Sequence, residues 1–141
     1  YPDIMRMPRN QKLLSTYPNF YFDKENFFAE ATNFIITGKN LETIFLFLIS
    51  DLGFFVFSKF YSGPQFDDTG FRYKKAYLNE TFIPMVEIES GIIKTLHSND
   101  ILTQDFDKEI NRFWNESIGF SAEELDLISG YKLSLISEPF N

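Results

Sequence analysis

The phrase "NLETIFLFLISDLGFFVFSKFYSG", residues 40–63, limits the possible folds more than any other part of the chain. Residues 41–61 are long enough to cross a bilayer as a helix, and thirteen of these 21 residues are Leu, Ile, Val or Phe. Each such residue gains about 0.3–0.6 kcal/mol at mid-membrane, whereas a central Asp costs about 2.5–3.5 kcal/mol. Asp51 lies at the centre, and Glu42 and Lys59 sit near the ends. The sum does not separate a membrane span from a protein core, so the patterning must. Asp51, Leu52 and Gly53 read as a break, because Gly suits a left-handed helix stop. The halves, 41–51 and 54–61, each have the length of a buried core helix. A helix apolar on all sides belongs in the middle of a bundle, and the other predicted helices carry apolar stripes that need such a partner. The reading is a buried helical hairpin rather than a span. In it Phe45, Phe47, Phe54 and Phe57 face the interior. The Phe and Val content of "GFFVFSKFY" also fits a strand.

Around this hairpin the pattern is helical. Residues 1–9 read as irregular, with Pro2 and Pro8, and a short helix is predicted over 10–16, ending at Tyr17 before Pro18. Asp23 is placed to cap a helix over 24–37, with Phe27, Phe28, Ala31, Phe34 and Ile35 at helical spacing and Gly38 closing it. Asn40 caps the next helix. "SGPQFDDTG", 62–70, is a turn cluster. Helix is predicted again over 71–80. Another is predicted over 84–97, with Pro84 in its first turn and Met85, Ile88, Ile92 and Leu96 on one stripe. Thr103 caps 104–116, whose apolar side is Phe106, Ile110, Phe113 and Trp114. Ser121 and Glu124 match a capping box, which opens a further helix that Gly130 can end. "YKLSLIS", 131–137, then fits either a short strand or continued helix. The fold class is all-α: one domain over 1–141, a compact bundle of six or seven helices.

Composition bears this out and removes several functions. A chain of 141 residues can bury about 68–70% of its unfolded surface and needs no staple. It has 18 Phe and 7 Tyr but one Trp and no Cys. Disulfide scaffolds, thiolate zinc sites and thiol nucleophiles are therefore excluded. Two glycosylation triplets, at Asn79 and Asn115, read as accidental. The first residue is Tyr1, and "YPDIMRMPRN" has no apolar h-region of a signal peptide. The expected location is the cytoplasm.

Catalytic constellations are missing. His97 is the sole histidine, so a triad or paired-imidazole metal site cannot be built. Its place at a helix C-terminus favours a structural, protonated role. The glycines form no phosphate loop, no Ser sits in a nucleophile elbow, and "DILTQDFDKEI" lacks the Gly and spacing of a calcium loop. Asp67 with Asp68, and Glu87 with Glu89, are the adjacent carboxylates. The former suit a turn or cap, and the latter diverge if their segment is helical. The basic run Arg72, Tyr73, Lys74, Lys75, Ala76, Tyr77 mixes cations and rings as nucleic-acid grooves do, but in this chain it reads as a solvated helix face. No enzyme, no cofactor and no metal are expected.

Charge supplies the sharper signal. The net charge is −7. Residues 1–22 hold Arg6, Arg9 and Lys12 against Asp3, while 103–141 hold eight acids against three bases. On a helix over 104–116, Asp105, Glu109 and Glu116 fall within about 40° of one another, away from the apolar side. Asp107, Glu123, Glu124 and Asp126 extend the negative field, with Asp67 and Asp68 as further candidates. Such a surface repels nucleic acid and anionic lipid and steers basic partners. A solvated face is the simple reading, and a docking surface is the functional one. In its size, acidity, lack of Cys and lack of catalytic motifs the chain resembles bacterial toxin-immunity proteins, of contact-dependent growth inhibition or bacteriocin type. The stretches "TQDFDKEINRFWNES" and "FSAEELDLIS" are nearest to that character. The resemblance implies a stoichiometric complex with a cognate toxin, commonly a basic nuclease whose cleft the carboxylates cover in place of phosphates. The other reading is a helical scaffold or regulatory subunit that binds a partner protein through an apolar groove.

Overall fold

A bend of 73° divides the apolar stretch into two helical arms. The computed structural model describes residues 1–6, 17–29, 31–62, 70–98 and 104–137. In it α1 runs Leu41–Leu48 and α2 runs Asp51–Val56, prolonged by a π-helical turn over Phe57–Tyr61. The break falls at Ile49 and Ser50, not at the predicted Asp51, Leu52 and Gly53. Ser50 explains the shift. Its hydroxyl donates to the Phe47 carbonyl at 2.6 Å and accepts from the Gly53 N–H at 3.0 Å. One buried side chain thus closes α1 and caps α2. Gly53 lies inside α2, where its backbone is pressed against α1: a Cβ there would stand 1.8 Å from the Phe47 carbonyl oxygen. Replacing Ser50 by Ala should cost about 1–2 kcal/mol, because the buried Gly53 N–H loses its acceptor and the Phe47 carbonyl keeps only the Ser50 backbone N–H. Urea denaturation should show a lower midpoint with an unchanged slope.

The bend sends the two arms into two aromatic clusters. Phe45, Leu46, Phe47 and Leu48 of α1, with Leu52 of α2, pack against Ile92, Leu96, Phe106, Ile110, Phe113, Trp114 and Ile128. Trp114 is fully buried, and its indole N–H donates to the Leu46 carbonyl at 3.1 Å. Phe54 and Phe57 turn to the second cluster, with Met5, Tyr17, Phe71 and Tyr73. There the Phe57 and Tyr73 rings stack at 4.1 Å. Phe45, Phe47, Phe54 and Phe57 are all buried, as the core reading requires. Each buried ring contributes about 1.5–3 kcal/mol. Among the described residues no single helix is long and apolar enough to cross a membrane; α1 and α2 with its π turn have the length and composition only as a bent pair.

The remaining elements are α3 (Lys75–Glu80), α4 (Ser90–His97), α5 (Gln104–Ile118) and α6 (Ala122–Ser137). Six α-helices among the described residues agree with the predicted bundle, but the fold is not wholly α. Strand β1 (Ile4–Arg6) pairs antiparallel with β2 (Gly70–Arg72), Met5 opposite Phe71. The sheet takes residues read as irregular and as the start of a helix over 71–80. Its reason is burial, since Met5 and Phe71 alternate into the second cluster. The predicted helix over 24–37 does not form. Asp23 accepts from the N–H groups of Glu25 and Phe27 at 2.8 Å, as a cap would, but Thr32, Asn33 and Phe34 lie beside the N-terminus instead of in a helix. Phe34 N–H donates to the Tyr1 carbonyl at 2.8 Å, and Pro2 bridges to Asn33. The helix predicted over 84–97 begins only at Ser90. Its Ile92 and Leu96 are buried, while Met85 lies exposed in an extended run.

Residues 131–137 are helix, not strand. Ile128, Tyr131, Lys132 and Leu135 recur at helical spacing on the packed side of α6, and Gly130 stands in open space without ending the helix. The capping box forms as predicted: Ser121 N–H donates to the Glu124 carboxylate at 2.8 Å and Glu124 N–H to the Ser121 hydroxyl at 3.3 Å. The predicted helix over 10–16, the Thr103 cap and most of the 62–70 turn lie outside the described residues.

Candidate functional site

The amphipathic pattern of α5 fixes which carboxylates meet solvent. Phe106, Ile110, Phe113 and Trp114 are buried, which turns Asp105 and Glu116 outward and leaves Glu109 half-buried. Glu123, Glu124 and Asp126 are exposed on the first turns of α6. The three in α6 are close in sequence to Glu116, across the short turn at Gly119, whereas Asp105 lies three helical turns back along α5. Asp67 and Asp68 lie outside the described residues.

The carboxylates differ in how free they are. Glu116 accepts from Arg112 at 2.8 Å, and Arg112 also holds Glu89 at 3.0 Å. Arg112 sits on the same angular stripe as Asp105, Glu109 and Glu116, at about 20° from Asp105. The ridge is therefore partly neutralised at its middle. The same helical geometry that groups the acids also places this cation, so the signal was present in the sequence. Glu124 is engaged in the capping box. Among the described residues Asp105, Glu109, Glu123 and Asp126 have no ion-pair partner. The Glu87 and Glu89 pair changes its meaning, because their segment is extended and side chains two apart then lie on one side. Arg112 claims Glu89.

Other polar groups serve the fold. His97 ends α4 as predicted, with its Nε2 3.7 Å from Glu42. Lys24 donates to the carbonyls of Leu96 and Ser98 at 3.2 and 2.8 Å, which satisfies the end of α4. Arg72 pairs with Asp3 at 2.8 Å across the sheet, and Lys74 lies over the Tyr77 ring. That basic run is thus split between a strand and a helix.

One polar cluster lies inside. Lys132 is buried, 4% exposed. Its ammonium is 3.0 Å from the Asp51 carboxylate and 2.8 Å from the Tyr17 carbonyl. Asn111 clasps Asp51 twice: its Oδ1 accepts from the Asp51 N–H at 2.9 Å and its Nδ2 donates to the carboxylate at 3.2 Å. Asp107, one turn before Asn111 on α5, is pushed up to about 6 by burial first and by the Asp51 charge second, against the opposing pull of Lys132. The stripe that puts Lys132 beside Ile128 and Leu135 could have revealed a buried cation. Its partners, 115 and 81 residues away, could not be read from spacing.

An apolar cleft of about 370 Å³ lies between residues 19–29 and 33–36 on one side and α1 on the other. Phe45 and Leu48 form part of its wall, and Phe27, Phe28 and Ile35 stand on it largely exposed, Phe28 completely. Among the described residues no group of three His, Asp or Glu side chains is placed to hold a metal ion.

The chain matches no family model, and no curated protein or solved structure matches it.

Proposed function

We propose that this protein is a non-enzymatic, immunity-type binding module that neutralises a basic partner protein, such as a nuclease toxin, through carboxylates of α5 and α6. The observation that carries this reading is the set of solvent-facing acids left without an ion-pair partner among the described residues: Asp105, Glu123 and Asp126, with Glu109 beside them. Free carboxylates on rigid helices are pre-positioned to meet Lys and Arg, and a chain of net charge −7 draws basic proteins over long range. What supports it in the fold is that the apolar sides of α5 and α6 pack inward on Phe106, Ile110, Phe113, Trp114 and Ile128 and leave these carboxylates on the outer sides.

The test is charge reversal. Asp105→Lys, Glu123→Lys and Asp126→Lys together should weaken binding to the basic protein retained by the wild-type chain by at least about 100-fold, at about 1 kcal/mol per lost contact. The same substitutions should leave the thermal midpoint within a few degrees, because all three side chains are exposed. Unchanged affinity in the folded variant would remove the acidic surface from the account.

A second reading, a scaffold that takes an apolar segment of a partner protein, has the cleft in its favour. Exposed Phe27, Phe28 and Ile35 form the kind of patch that marks interaction sites. Under that reading Phe28→Asp with Ile35→Asp abolishes binding, and charge reversal on α5 and α6 does not.

A further inference from the structure

The last helix is apolar on both sides. Inward, α6 packs Ile128, Tyr131 and Leu135 against the two aromatic clusters. Outward, it exposes Leu127 (61%) and Leu133 (43%). A surface helix keeps its apolar residues to the one stripe that meets the core, so packing within the chain does not account for the outer pair. Between them, three residues from each, stands Gly130, inside the helix. Glycine is the poorest helix former apart from proline, and a Cβ here would meet nothing within 4 Å. In contrast to Gly53, nothing inside the protein requires it. What a bare backbone offers there is room for another backbone to come close from outside. Charge adds a second observation. Glu123, Leu127, Gly130 and Ser134 fall within about 60° of one another at 100° per residue, with Asp126 alongside, and all five are exposed. Glu123 and Asp126 have no ion-pair partner among the described residues. A second copy of the chain does not suit this face, since it would bring net −7 against net −7.

We propose that the outer side of α6 is a docking seam for one basic amphipathic helix of the partner protein. The helix crosses close over Gly130, its apolar residues pack on Leu127 and Leu133, and its Lys or Arg side chains meet Glu123 and Asp126. This rests on the carboxylate-mediated binding proposed above and adds what carboxylates alone lack, an apolar centre that excludes water inside a charged rim. A helix is the shape that fits. Packed helices lie roughly 8–10 Å apart, at a distance set by the side chains at the crossing, and a glycine there allows the short end of that range.

The experiment titrates the full chain with two synthetic peptides of about 18 residues, long enough to form a helix, and of identical Lys and Leu composition. One places Leu at i, i+3, i+4 and i+7 along a single helical stripe, and the other scrambles the order. The wild-type chain is expected to bind the striped peptide at least about tenfold more tightly, with the largest amide NMR shifts at Leu127 and Gly130. Gly130→Gln separates the seam from the fold. Glutamine is the better helix former and its side chain enters open space, so the thermal midpoint should hold or rise while the preference for the striped peptide disappears. Leu127→Gln, which leaves the charge unchanged, should also weaken that preference. Shifts centred on Phe28 and α1 instead of α6, or a Gly130→Gln variant that keeps the preference, overturn the seam. Equal, salt-sensitive binding of both peptides overturns it too but leaves the carboxylate reading standing. That reading fails separately, when Asp105→Lys, Glu123→Lys and Asp126→Lys together leave the affinity for both peptides unchanged.

Discussion

Replacing Gly53 by Ala should leave the protein barely folded, with a loss of at least about 4 kcal/mol. An added methyl group would sit 1.8 Å from the Phe47 carbonyl oxygen and 2.7 Å from its carbonyl carbon. These are backbone atoms at the end of α1, so no side chain can swing aside. Relief requires α1 and α2 to move apart, and that disturbs the Ser50 hydroxyl bridge and the packing of both aromatic clusters. A helix interior prefers Ala to Gly by about 1 kcal/mol, a gain too small to offset a clash of this kind. Domains of this size have about 5–15 kcal/mol in total, so the loss takes much of what there is. Far-UV circular dichroism during heating should show the midpoint falling by more than about 10 °C. A variant that melts with the wild type would mean that the bend between the arms is not held by this contact.

Lys132→Met should cost about 3 kcal/mol, although it replaces a charge by an apolar side chain of similar length. The substitution leaves Asp51 partly buried with only Asn111 to satisfy it, beside Asp107, and it strips the Tyr17 carbonyl of its donor. Breaking one half of a buried pair is more damaging than removing both. Asp51→Asn combined with Lys132→Met should accordingly recover about 1 kcal/mol or more relative to the sum of the single variants. Urea titrations of the four proteins give the coupling directly. Additive losses would show that Lys132 is held by its packing against Phe54 and the α6 stripe and not by Asp51.

Parts of this fold that depend on neighbours in sequence were legible, and parts that depend on distant backbone were not. The α5 stripe of Phe106, Ile110, Phe113 and Trp114 packs as its spacing predicts. The Ser121 and Glu124 box forms because its two partners are three residues apart. The buried hairpin was legible too, since no other element could cover so many apolar side chains. Its break was misplaced because Gly53 serves close approach rather than a turn. Residues 24–37 have the periodicity of a helix, yet the backbone of Thr32, Asn33 and Phe34 is claimed by residues 1–3. No local pattern reports a partner some 30 residues away. Strand β2 is unreadable for the same reason, as its pairing residue Met5 lies at the other end of a long connection. The candidate surface was legible as a count of acids, but Arg112 and the capping role of Glu124 reduce how many face a partner freely.

The central claim is that the aromatic interior exists to present carboxylates for contact. It is tested most directly by the salt dependence of affinity for the basic protein that the wild-type chain retains. Titration calorimetry at about 0.05 M and about 0.5 M salt brackets the range over which exposed charges pass from weakly to strongly screened. The account predicts that the dissociation constant rises steeply between the two, and that Asp105→Lys, Glu123→Lys and Asp126→Lys flatten the dependence. A dissociation constant that stays level with salt, and that responds to Phe28→Asp and not to charge reversal, would contradict it and give the function to the cleft beside α1.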